Sequence, residues 1–194
     1  MSMIGEICKS PHIQQMIDLK DSRDVKVYAE IGVLYGGSMI EQMKSEKECF
    51  FIGIDPFTGY YGNSYDPHRS VDLTEHLDIV KKNLTDNNPH GHEWELIKNP
   101  SNDAVEELKS LLAPYLLIDL LFIDGDHSYQ AVKDDFENYK DLIAADGIIV
   151  FDNYKDPNWT EVETAVIDIM KENTDYFIKE EFGHCCIVAK RNRV

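Results

Sequence analysis

Leu121-Phe122-Ile123-Asp124-Gly125-Asp126-His127-Ser128-Tyr129 runs from an apolar stretch straight into two carboxylates and an imidazole. The apolar part is short and continuous, as in a strand buried on both faces of a parallel sheet. A second run, Ile148-Ile149-Val150-Phe151, ends the same way, in Asp152-Asn153. If the two strands are neighbours, their ends lie about 5 Å apart. Asp124, Asp152 and Asn153 then offer three oxygen ligands at one point, a set suited to a hard divalent cation such as Mg²⁺. Polar residues at two strand ends cost core stability unless something uses them. In open α/β sheets, ligand crevices lie outside the carboxyl ends of the strands.

Further apolar runs stand on either side of this pair. Val25 to Ile31, Cys49 to Ile54, Trp94 to Ile97, Ile118 to Ile123 and Ile148 to Phe151 read as five strands. Between them lie stripes at helical spacing: Leu73, Leu77, Val80 and Leu84; Val105, Leu108, Leu111 and Leu112, ending before Pro114; Tyr129, Val132, Phe136 and Tyr139. Ser38-Met39-Ile40-Glu41 has capping-box spacing and opens the helix after the first strand. An N-terminal helix with Ile13, Met16 and Ile17 follows Ser10-Pro11, and a late helix carries Val162, Val166 and Ile169. Tyr176 to Ile178 and Cys185 to Ala189, separated by a turn with Gly183, suggest an antiparallel hairpin. Strand–helix alternation of this kind predicts an α/β fold with a mostly parallel sheet. There is no repeat, low-complexity tract or linker, so residues 1–194 are expected to form a single domain. The irregular stretch Pro56 to Ser70 holds Phe57, Tyr60, Tyr61 and Tyr65 with Gly59 and Gly62. It is expected to be a lid over the site, with a rigid surface loop as the alternative.

Hydrophobic residues are 43 % of the chain, enough for a full core rather than disorder. No apolar run approaches the ~18 residues of a membrane span. The first residues lack a basic region and a long apolar region, so a cytoplasmic protein is expected. The formal net charge of −17 disfavours nucleic acid and, more weakly, polyanionic substrates such as coenzyme A esters. Cys8, Cys49, Cys185 and Cys186 show no C-x-x-C spacing; they read as reduced, small hydrophobes rather than zinc ligands.

Three more constellations bear on ligands. Glu30-Ile31-Gly32-Val33-Leu34-Tyr35-Gly36-Gly37-Ser38 spans the first strand–helix junction. It lacks the G-x-G-x-x-G pattern, because position 34 is Leu, and Glu30 would repel a pyrophosphate. A carboxylate there suits a cationic ligand, and S-adenosylmethionine carries an amino group and a sulfonium without phosphate. Asp55 ends the second strand, where an acid can accept hydrogen bonds from ribose hydroxyls; a turn aspartate before Pro56 is the plainer reading. Ser101-Asn102-Asp103 follows the third strand and either touches an adenine ring or caps a helix. His90-Gly91-His92 reads as a solvated turn rather than a transition-metal site. His184 falls in the hairpin turn, and His12, His68 and His76 show no partner pattern.

Glu30-x-Gly32-x-x-x-Gly36, Asp55, Ile123 to Tyr129 and Gly147 to Asn153 together resemble the class I S-adenosylmethionine-dependent methyltransferases. More narrowly, they resemble the metal-dependent O-methyltransferases: the catechol, caffeoyl-CoA, macrocin and antibiotic-sugar types. The Asp-Gly-Asp-His-Ser-Tyr run is most similar to the branch that also holds proteins labelled cephalosporin hydroxylase. The resemblance runs from Val25 to Lys190. It implies a Rossmann-like, seven-stranded sheet of order 3-2-1-4-5-7-6 with strand seven antiparallel. It also implies S-adenosyl-L-methionine held by Glu30, Gly32, Gly36, Ser38 and Asp55, with Ser101 or Asn102 near adenine and Asp124 at the cofactor's edge. Asp124, Asp152 and Asn153 would hold Mg²⁺ or another divalent cation, and Asp126 or His127 would be the general base. The basic residue of the catechol type has no clear match, Lys155 being the nearest. Only one short helix precedes strand one, where relatives build a cap, which leaves room for a homodimer. The function implied is O-methylation of a small-molecule acceptor, a sugar or a catechol-like phenol. The alternatives are a non-catalytic or accessory S-adenosylmethionine binder and a nucleotide-cofactor oxidoreductase; Glu30 and the missing G-x-G-x-x-G count against the oxidoreductase.

Overall fold

Alternate residues of the central strands enter two separate apolar cores, one on each face of the sheet. In the computed structural model, which describes residues 12–58, 75–112 and 116–191, β1 (Val27–Ile31) sends Val27, Ala29 and Ile31 to one core and Tyr28 to the other. That is the period-two alternation of a strand. β2 (Phe50–Ile54), β3 (Trp94–Ile97), β4 (Ile118–Ile123) and β5 (Ile143–Phe151) run parallel to β1. β6 (Tyr176–Phe182) and β7 (Cys185–Lys190) form the expected antiparallel hairpin, with β7 pairing β5. The strand order is β3-β2-β1-β4-β5-β7-β6, as the resemblance implied.

One face carries α1 (His12–Ser22), α2 (Gly37–Met43) and α3 (His76–Asp86), whose Met16, Met39 and Val80 pack on Phe51, Phe122 and Val150. The other carries α4 (Ser101–Leu112), α5 (Tyr129–Tyr139) and α6 (Thr160–Glu172), through Leu108, Phe136 and Val166. Each fully buried side chain of this size contributes roughly 2–3 kcal/mol. No helix among the described residues is long and apolar enough to cross a membrane.

Several expectations shift. β5 begins at Ile143, not Ile148. Its pairing with β4 jumps register between Ile118 and Leu120, and Gly147 passes so close to the Ile118 carbonyl that a Cβ would lie 2.8 Å from it. Ala144-Ala145-Asp146-Gly147 therefore belongs to a bulged strand. α1 buries His12, Met16 and Lys20, one residue per turn, while Ile13 and Ile17 are half-buried. Lys20 pairs with Asp21 at 2.7 Å. Residues 59–70 of the expected lid, together with Ser10, Pro11, Leu73 and Pro114, lie outside the described residues. Phe57, at the start of that stretch, is buried and packs edge-on against His76.

Candidate active site

Four adjacent strands end side by side at the carboxyl edge of the sheet, and each ends in a polar residue or a glycine turn. Glu30 falls on the Tyr28 side of β1 and is fully buried. Tyr28 Oη–H donates to its Oε2 at 2.6 Å and the Ser38 hydroxyl donates to Oε1. Burial pushes Glu30 up to about 8, against the two donors that hold it down. Ser38 therefore lies inside α2 and ties it to β1 rather than capping it. Gly36, with φ +82°, precedes the helix instead.

Gly32, with φ +90°, crosses the end of β4. A Cβ there would lie 2.0 Å from the Asp124 carbonyl oxygen, so only glycine fits. Asp55, at the end of β2, organises the same turn. Its Oδ2 accepts the N–H groups of Val33 (3.0 Å) and Leu34 (3.2 Å), and Oδ1 accepts that of Phe57 (2.6 Å). One Oδ1 lone pair remains for a hydroxyl donor.

The Ile123↔Phe151 pairing of β4 and β5 continues one residue on, where the Asp152 N–H donates to the Ile123 carbonyl at 3.0 Å. Asp124 and Asp152 thus face each other, close enough for the charge of one to act on the other. Burial and the neighbouring Asp152 charge push Asp124 well above the usual carboxylate range, although 32 % of its side chain is accessible. Asn153 takes a left-handed φ of +56°, and its carbonyl accepts the Asp156 N–H at 3.1 Å. Its amide oxygen can serve as a cation ligand. The two carboxyl groups are brought together, with Asn153 next to them in the chain.

His127 and Asp126 separate. Asp126 is exposed, and its Oδ1 accepts the Ser128 N–H at 2.8 Å, ahead of α5. His127 is half-buried, with Nε2 3.3 Å from Asp124 Oδ1 and its ring 4.6 Å from that of Trp159. Burial lowers its pKa from 6.5, opposed by the charges of Asp152, Asp126 and Asp156. Lys155 is engaged with Glu181: its ammonium bonds that carboxylate at 2.6 Å, and that bond raises its pKa.

Ser101 and Asn102 open α4, and both reach α5. The Ser101 carbonyl accepts from the Tyr139 hydroxyl at 2.7 Å, and the Asn102 oxygen accepts from Asn138 at 2.8 Å. His92 is buried rather than solvated, with Nε2 2.8 Å from the Ser45 carbonyl.

Four residues escaped the sequence reading. Asp135 is buried, and burial pushes it up to about 7. The signal was a carboxylate inside the apolar stripe Val132-Phe136-Tyr139. Trp159 signalled itself only as a tryptophan seven residues past the acidic strand end. His12 Nε2 lies 3.3 Å from Asp152 Oδ1, and Cys185 S–H donates to the same oxygen at 3.3 Å. Burial lowers the pKa of His12, against the pull of Asp152. Their sequence separation from Asp152 left no local pattern to read.

Residues 29–154 match the family model described as a methyltransferase domain. An uncharacterized protein of Acanthamoeba polyphaga mimivirus is 34 % identical over 163 residues, covering 83 % of this chain. The chain spans 66 % of that relative's length. The O-methyltransferase of Bacillus cereus, solved with S-adenosylhomocysteine, superposes with a TM-score of 0.63 at 18 % identity, over 93 % of this chain and 82 % of its own. The O-methyltransferase TomG of Streptomyces achromogenes, solved with S-adenosylmethionine, gives 0.65 at 15 % identity, over 94 % and 80 %. At these identities the likeness speaks for the fold.

Proposed function

The chain belongs to the methyltransferase-domain family, and from that premise we propose that it moves the methyl group of S-adenosylmethionine to a hydroxyl of a small molecule, a sugar or a catechol-like phenol, with the help of a divalent cation. The observation that carries the reading is the facing pair Asp124–Asp152 with His127 against it. A buried carboxyl group, Asp152, facing a partly buried one, Asp124, calls for either a shared proton or a cation. The donor set is all oxygen, so it fits Mg²⁺ or Mn²⁺, which Asp124, Asp152 and the Asn153 amide oxygen would hold.

When bound, S-adenosylmethionine supplies an electrophilic methyl group and the cation lowers the pKa of an acceptor hydroxyl. The chain's residues do the rest. Asp55 fixes the Gly32–Gly36 turn and keeps one lone pair for a ribose hydroxyl. Glu30, beneath Ser38, presents a carboxyl group to the cofactor's positive end. His127, with Nε2–H given to Asp124, keeps its Nδ1 lone pair for the acceptor's proton. Its lowered pKa leaves that lone pair free at neutral pH. Trp159 offers an aromatic face next to His127 on which a ring or sugar can rest. Holding the acceptor oxygen in line with the methyl group supplies the remainder.

The test is transfer of labelled methyl from S-adenosylmethionine to a panel of catechols and sugar hydroxyls, in EDTA and with Mg²⁺ or Mn²⁺ restored. Turnover that EDTA abolishes and Mg²⁺ restores supports the reading. Calorimetry that finds no binding of S-adenosylhomocysteine would sink it; full turnover in EDTA would remove the cation alone.

A further inference from the structure

His12, Asp152 and Cys185 come from the first helix, the fifth strand and the last strand, and all three side chains are buried. Their ligand atoms, an imidazole nitrogen, a carboxylate oxygen and a thiol sulfur, lie within 4.8 Å of one another. We infer that these three atoms form a second metal site, built for a borderline transition metal such as Zn²⁺ and sharing Asp152 with the oxygen-only site.

Strand parity accounts for the thiol. Cys185 and Cys186 are adjacent on β7, so they face opposite sides of the sheet. Cys185 joins the core on the α1 side and Cys186 the core on the α6 side. Of the two, only Cys185 faces Asp152. The hairpin turn accounts for the imidazole. A Cβ on Gly183 would lie 3.3 Å from the Cβ of His12, so the turn presses on the start of α1 and holds the ring in place.

The spacing fits. His12 Nε2 and Cys185 Sγ each lie 3.3 Å from Asp152 Oδ1. Ligands about 2.0–2.3 Å from a tetrahedral Zn²⁺ sit roughly 3.3–3.8 Å from each other. The chemistry selects the metal. A thiolate with an imidazole suits Zn²⁺ and its neighbours, whereas Mg²⁺ takes oxygen and keeps its waters. Three protein ligands leave one position, open to water or to His184, which is exposed in the same turn. An ion here would clip the first and last elements of the fold to the acidic strand end.

Cobalt is the probe. The full chain, stripped with chelator and kept reduced with a phosphine, is titrated with Co²⁺ in excess Mg²⁺. The expected result is a near-ultraviolet thiolate-to-cobalt charge-transfer band with visible d–d bands, saturating at one ion per chain and bleached by Zn²⁺. The band is lost in Cys185→Ser and in His12→Ala and kept in Cys186→Ser and Asp124→Asn. His12→Ala lies in the first turn of a helix and serves if Cys185→Ser fails to fold. Absence of the band in the unmodified chain overturns the site and leaves an ion pair with a thiol donor. Survival of the band in Cys185→Ser or His12→Ala overturns it too. The readout needs neither cofactor nor methyl transfer, so it stands or falls apart from the proposed reaction.

Discussion

The carboxyl groups of Asp124 and Asp152 meet across the ends of two adjacent parallel strands, where the charge of Asp152 acts on Asp124. Without a cation this contact is unfavourable above the carboxylate range. The folded-state pKa of Asp124 is raised above 3.8. Its contribution to stability is therefore fully present below that value and is lost as pH rises through the folded value. Asp124→Asn removes the penalty and gives Asp152 a neutral donor. In EDTA at pH 7 the variant should melt higher by about 2–4 °C, equivalent to on the order of 1 kcal/mol after allowing for the solvent-exposed part of the side chain. The gain should vanish as pH falls toward 4, and turnover should be lost. An unchanged or lower melting point at pH 7 would mean that the pair is not strained in the chain without metal.

Glu30 gives a second pH window. Its pKa rises from 4.5 to about 8 on folding, so the stability it contributes is full below 4.5 and is lost as pH climbs through 8. Glu30→Gln, whose amide oxygen accepts from one of the two hydroxyls while its NH2 donates to the other, should flatten the fall in melting temperature over that interval. If Glu30 faces the cofactor's cation, the same variant should bind S-adenosylhomocysteine roughly ten- to a hundredfold more weakly by calorimetry. A flattened melting profile with unchanged affinity would make Glu30 a tether between β1 and α2 only.

The strands and the acidic pair were legible because strands buried on both faces read as unbroken apolar runs, and Asp124 and Asp152 interrupt them at the ends; the order of the strands came only with the family resemblance. Glu30 was legible as an acid within such a run. The start of β5 was not, because Ala144-Ala145-Asp146-Gly147 follows a bulge set by the register with Ile118 rather than by any local pattern. The buried face of α1 was misread because Lys20 buries a long apolar stem and His12 its ring, and neither counts as apolar in a periodic pattern; Lys20 satisfies its polar tip at Asp21. The separate fates of Asp126 and His127 depend on where the chain turns after β4, and adjacency in sequence carries no such information.

Gly32→Ala tests the crossing of β1 over β4. The added Cβ meets backbone, not a flexible side chain, 2.0 Å from the Asp124 carbonyl oxygen, and φ is +90°. The two strand ends must part to accept it. A loss of about 3 kcal/mol or more, on the order of 10 °C in melting temperature, is expected. Binding of S-adenosylhomocysteine should be lost in whatever fraction still folds. A variant that melts within a degree or two of the parent would show that this turn yields freely.

His127 and Asp126 are separated by their pH profiles. Burial holds His127 below its ordinary 6.5, so the imidazole is neutral and able to take a proton across pH 7 to 8. The acidic limb of kcat for the acceptor found in the panel should therefore bend below pH 6.5 and be flat above it. His127→Ala should lose roughly 10²–10⁴-fold in kcat and abolish the bend, with KM for S-adenosylmethionine little changed. Asp126→Ala removes the acceptor of the Ser128 N–H. Its cost of about 1 kcal/mol should appear in the melting temperature while the bend stays in place. If the bend vanishes in Asp126→Ala and survives in His127→Ala, the roles are reversed, and the loop after β4 must turn Asp126 inward when the acceptor binds.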